Sequence, residues 1–310
     1  MIGPADRPGT IQSLLNEGVS RLREAGSETP RLDAELLLGH AVGVDRTGLA
    51  AHPEAAVGPA AAATYEAGIT RRAAGEPVAY IRGLKEFFGL AFSVDRRALI
   101  PRPETELLVE LGLAELARRL TERPRPIGTP PVRVADVGTG SGAVAVSIAV
   151  TLRRRGSLDE VDCLLTDASP DALQLARENA VAHGTADRLR FEVADLLPAG
   201  EERFDIVLAN LPYIPSTAIP GLPVAASFEP REALDGGPDG LAVIARLLER
   251  LPGVLAPGGT CLLEIGSDQV AAMIECAGRL IPGWALRIEH DLSGGPRVVR
   301  IDPPGPDARA

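Results

Sequence analysis

Apolar residues recur at helical spacing through the N-terminal part of the chain. Thr10 is suited to cap a first helix, whose apolar stripe consists of Ile11, Leu14, Leu15, Val19 and Leu22. A second helix is predicted after Pro30, and an Ala-rich third helix from about Pro59 to Ala74. This pattern predicts a small helical unit at the start of the chain.

The pattern changes in the stretch PVAYIRGLKEFFGLAFSVDRRALIPRPETE, which begins at Pro77. Aromatic and β-branched residues on either side of Gly89 favour a hairpin. The following stretch, ETELLVELGLAELARRL, has helical spacing again, and TERPRPIGTPP reads as a Pro-rich linker.

Short β-branched runs then alternate with amphipathic stretches as far as residue 303. The runs VRVADV, VDCLLTD, LRFEVADL, FDIVLAN and TCLLEIG are predicted strands, and AVAVSIAV, SPDALQLARENA and LAVIARLLERL are predicted helices. Such alternation indicates an α/β domain with a doubly wound, mostly parallel sheet. The closely spaced runs ALRIEHDL and RVVRID are suited to an antiparallel edge pair.

The composition narrows the class of protein. The formal charge of −10 and the pI near 5.1 argue against binding a long phosphate backbone, so we expect no direct nucleic-acid partner. Cys163, Cys261 and Cys276 lie in or beside apolar segments and are odd in number, which favours reduced core thiols and a cytoplasmic setting. No export leader, membrane segment or metal-ligand spacing is recognisable in the sequence.

A glycine-rich loop follows the first strand of the predicted sheet. The residues Gly138, Thr139, Gly140, Ser141 and Gly142 separate that strand from the next helix. Glycines at this place let a ligand approach the backbone at a helix N-terminus. Because Ala143 also completes the looser pattern G-x-G-x-x-A, a nicotinamide dinucleotide stays possible on this loop alone.

Three aspartates stand at or near successive strand ends. Asp136 precedes the loop, Asp167 ends the second strand, where a carboxylate can accept both ribose hydroxyls, and Asp195 follows the third strand. Asp195 could accept from an exocyclic adenine amine or serve as a cap or a solvated turn residue. Together with the glycine loop, these positions resemble the class I S-adenosylmethionine-dependent methyltransferases.

The stretch Asn210-Leu211-Pro212-Tyr213 follows a buried strand and could be a plain turn. Asn210 can accept one N–H, and Pro212 biases Leu211 toward an extended backbone that holds its carbonyl outward as a second acceptor. Tyr213 offers a flat face for a planar group. These features suit an –NH₂ group that is to be methylated beside a sulfonium, and the tetrapeptide resembles the N-P-P-Y motif of DNA adenine and protein glutamine methyltransferases.

Further stretches resemble the peptide-chain release factor glutamine methyltransferase family from about residue 10 to 303. They are IPRPETE with the hairpin before it, FEPREALDGGPDGL and DLSGGPRVV. The resemblance implies methylation of the glutamine in the Gly-Gly-Gln loop of class I release factors, with S-adenosyl-L-methionine as cofactor and S-adenosyl-L-homocysteine as product. We expect the protein to be a monomer.

The resemblance also assigns roles to residues. It implies a cofactor site of Asp136, residues 138–142, Asp167, Asp195, Leu196 and Asn210, and a substrate site of residues 210–213, with Asn210 and Tyr213 catalytic. Leu211 stands where the family usually has proline, and Leu196 where it often has an aromatic residue. IPRPETE is expected both to begin a helix and to form a wall of the site. The role of Arg231 stays open between a surface turn and a substrate contact.

The predicted domains are a helical substrate-recognition domain (1–80), a hairpin connector (81–103), a methyltransferase domain (104–303) and a flexible tail (304–310). Three other functions remain as alternatives at this point. A ribosomal-protein glutamine methyltransferase would use the same chemistry, a nucleic-acid adenine methyltransferase would need a basic strand-binding surface, and a non-catalytic adaptor could keep the fold alone.

Overall fold

The computed structural model describes residues 9–122, 129–198 and 200–305. Most of the predicted Pro-rich linker (123–128) and of the predicted tail (306–310) therefore lies outside the described residues. The chain divides into two compact units, Met1–Leu84 with Pro223–Phe228, and Lys85–Leu222 with Glu229–Ala310. None of the helices in the described ranges is both long and apolar enough to cross a membrane.

The first unit is helical, as the apolar spacing predicts. It contains α1 (Ile11–Glu24), α2 (Pro30–Val42), α3 (Arg46–Ala51), α4 (Pro59–Ala73) and α5 (Val78–Arg82). The predicted cap of α1 is confirmed, because Thr10 Oγ1 accepts a hydrogen bond from Ser13 N at 3.2 Å. The short helices α3 and α5 were not predicted. Residues such as Leu22, Leu38 and Ile69 are fully buried in a core of this unit's own.

A small hairpin follows the helices. Strands β1 (Leu84–Phe87) and β2 (Leu90–Ser93) pair across the residues Phe88 and Gly89. Both turn residues have positive φ, 50° and 67°, the combination that a tight two-residue hairpin turn requires. The predicted hairpin about Gly89 is confirmed, and Phe88 adopts the left-handed conformation without being glycine.

The second unit is built on a seven-stranded sheet in the order β5-β4-β3-β6-β7-β9-β8. Its strands are β3 (Val132–Val137), β4 (Val161–Asp167), β5 (Leu189–Val193), β6 (Phe204–Ala209), β7 (Leu255–Glu264), β8 (Ala285–His290) and β9 (Pro296–Asp302). The first five are parallel, and β9 runs antiparallel between β7 and the edge strand β8. The predicted doubly wound, mostly parallel sheet with an antiparallel edge pair is confirmed.

Helices accompany this sheet. They are α6 (Glu106–Glu122), α7 (Ala143–Arg154), α8 (Pro170–Ala182), α9 (Ala242–Val254) and α10 (Val270–Leu280). Strand order reverses at β3, which pairs with β4 on one side and β6 on the other. In open α/β sheets, ligands bind beyond the strand carboxyl ends at such a reversal. Residues that follow β3, β4, β6 and β7 therefore meet at one edge.

Candidate active site

The glycine loop is tied to the sheet by Asp136 near the end of β3. Its carboxylate accepts hydrogen bonds from Thr139 Oγ1 at 2.7 Å and from Ala145 N, in the first turn of α7, at 3.3 Å. Burial raises the pKa of Asp136 to about 6 although these donors oppose the shift. Asp136 therefore holds the loop against the helix from within.

Two glycines of the loop are required by close packing as well as by their positive φ. A Cβ on Gly138 would lie 3.0 Å from Leu211 Cδ2, and a Cβ on Gly142 would lie 3.0 Å from Ala176 Cβ. At these positions the φ angles are 69° and 79°. Gly138 lets the loop approach the segment after β6, whereas Gly142 lets α7 begin against α8.

Asp167, the last residue of β4, joins the loop from the neighbouring strand. Its two carboxylate oxygens accept from Gly140 N and Ser169 N, each at 2.9 Å. Burial raises the pKa of this carboxyl, and the backbone donors partly offset the effect. Each oxygen still has lone-pair capacity, so the carboxylate can accept further hydrogen bonds from a ligand.

The loop, the strand ends and two chain segments enclose a cavity of about 550 Å³. Most of the predicted site residues line it, namely Asp136, Gly138, Thr139, Gly140, Ser141, Asp167, Asp195, Leu196, Asn210, Leu211 and Pro212. Gly142 and Tyr213 do not. The volume lies within the range usual for small-molecule and cofactor sites.

Asp195 and Leu196 form the outer part of the cavity wall. The Asp195 carboxylate is exposed and forms an ion pair with Arg246 of α9, which also lines the cavity. Leu196 has a φ of 67°, a conformation that non-glycine residues rarely adopt, and its carbonyl accepts a hydrogen bond from the buried Thr166 Oγ1 at 2.5 Å. This part of the wall is thus held by the hydrogen bond from Thr166 to the Leu196 carbonyl and not by a helix or strand.

Asn210 stands directly after β6 and faces the cavity. Its Nδ2 donates to Thr105 Oγ1 at 3.0 Å, which leaves Oδ1 as the acceptor available to a ligand. Leu211 lines the same cavity, and its buried side chain packs against Gly138. Pro212 completes this part of the wall.

Tyr213 is not among the residues that line the cavity, and its half-buried side chain packs against the core of the second unit. Burial raises its pKa to about 12. Its carbonyl accepts from Gln269 Nε2 at 2.8 Å, so the backbone after the motif is held from the α10 side. Tyr213 is therefore placed beside the cavity-lining residues of the motif and does not itself line the cavity, and its catalytic role stays a prediction.

Two segments close the site from the side. Residues 97–102 and 230–233 both contribute cavity-lining residues. The buried Glu229 joins them, since its carboxylate accepts from Arg102 Nη2 at 2.5 Å and from Ile100 N at 3.1 Å. The expected wall role of IPRPETE is therefore observed. Arg231 is largely exposed, pairs with Asp235 at 3.2 Å and does not line the cavity.

Several residues of the site were not singled out in the sequence. They are Thr105, Glu229, Arg246 and Gln269. The stretches IPRPETE and FEPREALDGGPDGL contain the first two, so the resemblance pointed to the segments but not to the side chains. Arg246 and Gln269 sit in ordinary helical or turn sequence, where no local signal marks them.

Comparison with known proteins adds family relationships to this geometry. The family model of the PrmC N-terminal domain matches residues 13–83, and that of a methyltransferase domain matches residues 129–281. A release factor glutamine methyltransferase of Moorella thermoacetica is 45% identical over 86% of this chain and 89% of its own length. One of Bradyrhizobium diazoefficiens is 39% identical over 94% of each chain.

A solved protein-(glutamine-N5) methyltransferase (release factor-specific) of Alicyclobacillus acidocaldarius is 28% identical. It covers 69% of this chain and 99% of its own, with a TM-score of 0.38. The family relationship rests on the sequence identities over nearly full length and on the two domain models. The suspected resemblance is confirmed, and this chain belongs to the release factor glutamine methyltransferase family.

Proposed function

We propose that this protein transfers a methyl group from S-adenosylmethionine to the side-chain amide nitrogen of the glutamine in the Gly-Gly-Gln loop of class I release factors. The main support is that Asn210 and Leu211 line the same cavity as the glycine loop and Asp167. The two residues that would supply the acceptors for an –NH₂ group thus line the same cavity as residues suited to a nucleoside. Family membership supplies the substrate class.

The residues of the cavity fit the cofactor. Asp167 keeps acceptor capacity for two ribose hydroxyls, and Gly138 and Gly140 leave the backbone open to close approach. Asp195 and Leu196 would border the adenine, and Asp136 would fix the loop beneath the amino-acid end. When bound, S-adenosylmethionine supplies an electrophilic methyl group on a sulfonium.

The chain's own contribution is to bind and orient the glutamine amide. An amide nitrogen is a poor nucleophile because its lone pair is delocalised into the carbonyl. Asn210 Oδ1 and the Leu211 carbonyl would accept its two N–H hydrogens and aim the nitrogen along the transfer axis. As the new carbon–nitrogen bond forms, the methyl–sulfur bond would break to leave S-adenosylhomocysteine, and one N–H proton would be lost to solvent. Positioning therefore carries the rate, and no histidine or metal is required.

The helical N-terminal unit is proposed to choose the protein substrate. It matches its own family model separately from the methyltransferase domain and has its own hydrophobic core. We further propose that the protein acts in the cytoplasm, where release factors work. This is supported by Cys163, Cys261 and Cys276, all of which are buried free thiols.

The test is methyl transfer from labelled cofactor to purified release factors and, in parallel, to ribosomal proteins, with the modified residue mapped by mass spectrometry. We expect label on the glutamine of the Gly-Gly-Gln loop. Asn210→Ala should lower the single-turnover rate by roughly 100-fold or more, because lost orientation can cost several kcal/mol of the barrier. Its cofactor affinity should change by less than about tenfold, since one neutral hydrogen bond contributes about 1 kcal/mol.

Leu211→Pro is the companion variant. It restores the usual motif and keeps the backbone carbonyl, so methyl transfer should persist even though the contact of Leu211 with Gly138 is lost. If label appeared only on a ribosomal protein, the release-factor assignment would be wrong. If a folded Asn210→Ala protein transferred methyl groups at a near-normal rate, the Asn-Leu-Pro-Tyr stretch would have only the structural role of a turn.

A further inference from the structure

The proposed reaction requires Oδ1 of Asn210, and not Nδ2, to face the substrate. The position of Asn210 alone does not determine which of the two atoms does so. Oδ1 and Nδ2 have nearly the same shape, and only Oδ1 can accept from a substrate N–H. In the structure Nδ2 donates to Thr105 Oγ1 at 3.0 Å. The reverse arrangement, in which the Thr105 hydroxyl donates to Oδ1, would present Nδ2 to the cavity and repel the substrate –NH₂.

Thr105 therefore has to be kept as an acceptor toward Asn210. It lies in a 3-10 turn (Pro103–Thr105) just before α6 and is 5% exposed. A threonine hydroxyl has one proton, so it acts as an acceptor toward Asn210 when that proton is directed to a different acceptor. The question is which neighbouring group takes it.

Glu264 is the neighbouring group that is suited to accept the Thr105 proton. It is the last residue of β7. Because Ala209 of β6 pairs with Leu263 of the neighbouring strand β7, Glu264 occupies the position next to Asn210. Its side chain is 1% exposed, and within the described ranges neither carboxylate oxygen has a formed hydrogen bond. Burial raises the pKa of its carboxyl, and the neighbouring hydroxyls of Thr105 and Tyr213 act in the opposite direction.

Burial nevertheless dominates at Glu264 and raises the pKa of its carboxyl to about 7. The charged groups facing it are Arg297 of β9, which lowers the pKa, and Glu104, which raises it. As a carboxylate, Glu264 can only accept, so it draws the Thr105 proton toward itself. As a neutral acid, it can donate to Thr105 and release the threonine proton toward Asn210 Oδ1.

We propose that Thr105 is a positioning residue that turns Asn210 Oδ1 toward the substrate, and that the buried carboxylate of Glu264 orients the Thr105 hydroxyl for this task. The inference rests on the proposed function and deepens it. It also gives the threonine of IPRPETE a specific part in the reaction. Protonation of Glu264 reverses the chain of hydrogen bonds and makes the site unproductive.

The first experiment compares Thr105→Val with Thr105→Ser in single-turnover methyl transfer at saturating cofactor and release factor. Valine keeps the shape without the hydroxyl, and the rate should fall roughly 10- to 100-fold because the amide is no longer oriented. Serine should restore the rate to within about threefold, because it returns the hydroxyl that holds the amide in line. The dissociation constant of S-adenosylhomocysteine should be the same in all three proteins.

The pH profile of the same rate tests Glu264. In the wild type the rate should fall as the pH is lowered through about 7, the pKa raised by burial. Glu264→Gln cannot ionise and still offers an amide oxygen to Thr105, so this limb should disappear. A wild-type limb that persists unchanged in Glu264→Gln, or equal rates in Thr105→Val and wild type, would overturn the proposal.

A readout without methyl transfer separates this inference from the proposed function. In protein labelled at asparagine nitrogen, the side-chain amide signals of Asn210 can be assigned by their loss in Asn210→Asp. One of the two amide protons should exchange slowly in wild type and Thr105→Ser and rapidly in Thr105→Val. If the wild type methylates no glutamine, the proposed function fails, whereas equal exchange in all three proteins refutes the positioning role.

Discussion

The single residue Asp167 both holds the glycine loop and offers a carboxylate to the cofactor cavity. Its carboxylate accepts from Gly140 N and Ser169 N and also faces the cavity. Asp167→Ala should weaken binding of S-adenosylhomocysteine by roughly 10- to 100-fold, because charge-assisted hydrogen bonds to the ribose contribute about 1.5–3 kcal/mol. Isothermal titration calorimetry measures the effect.

Asp195→Ala is the matched comparison for this prediction. That carboxylate also lines the cavity, but it is exposed and paired with Arg246, so its loss should change the affinity by less than about fivefold. If Asp167→Ala and the wild type bound S-adenosylhomocysteine with equal affinity, the assignment of Asp167 to the cofactor site would be wrong.

The sequence could predict site residues wherever the backbone alone determines their place. Asp167 and Asn210 follow parallel strands, and the carboxyl ends of parallel strands share one edge of the sheet. Tyr213 lies only three residues further on, yet it packs against the core and does not line the cavity, because side-chain direction after a strand depends on packing. Thr105 contacts Asn210 through a tertiary hydrogen bond, and strand pairing places Glu264 on the strand next to it, and no local sequence pattern contains either relation.

At the level of helices, α1 and α4 pack through a glycine. A Cβ on Gly18 would overlap the Tyr65 hydroxyl and lie 2.9 Å from Tyr65 Cζ, and that hydroxyl donates to Leu14 O at 3.2 Å. Gly18→Ala should therefore destabilise the helical unit by about 1–3 kcal/mol despite alanine's higher helix propensity. Amide hydrogen exchange in α1 and α4 reports the local loss.

Gly68→Ala is a control within the same unit. Gly68 is also a buried helical glycine, but its added Cβ would meet Leu37 Cδ2 at an ordinary 3.4 Å. This variant should be neutral or stabilising by up to about 1 kcal/mol. Slower exchange in Gly18→Ala than in Gly68→Ala would contradict the packing argument.

Whether a segment forms a helix or a strand could be predicted from the sequence where the segment is long enough for its apolar residues to show a repeat. The helix α1 follows its apolar spacing and is confirmed, as is the antiparallel pairing of β8 and β9, which was predicted from their closeness in the sequence. The helices α3 and α5, with 6 and 5 residues, are too short to show a period of 3.6, and they were missed. Residues 223–228 belong with the helical unit in the structure, although the sequence places them inside the second unit, since membership depends on contacts rather than chain order.

For the molecule as a whole, buried carboxyls make stability depend on pH in two opposing ways. Asp136 and Glu264 have pKa values raised by burial to about 6 and about 7, so between roughly pH 4.5 and 7 the folded chain binds more protons than the unfolded chain. Their contribution to stability therefore falls as the pH rises through this window. The buried Glu115 behaves oppositely, because Arg118, Arg119 and Arg300 lower its pKa to about 2 against the effect of burial, and its stabilisation is lost below about pH 4.

The second unit should therefore be most stable near pH 5 rather than at neutral pH. Urea unfolding followed by the fluorescence of Trp284, the only tryptophan and one packed on this unit's core, measures the free energy of unfolding from pH 4.5 to 8. Asp136→Asn and Glu264→Gln should each flatten the decline above pH 5, because each removes one group whose uptake of a proton favours folding. Glu201→Gln alters an exposed carboxylate and should leave the slope as in wild type. A stability that rises from pH 5 to 8 would contradict the argument, because it would mean that the unfolded chain binds more protons than the folded one in this range.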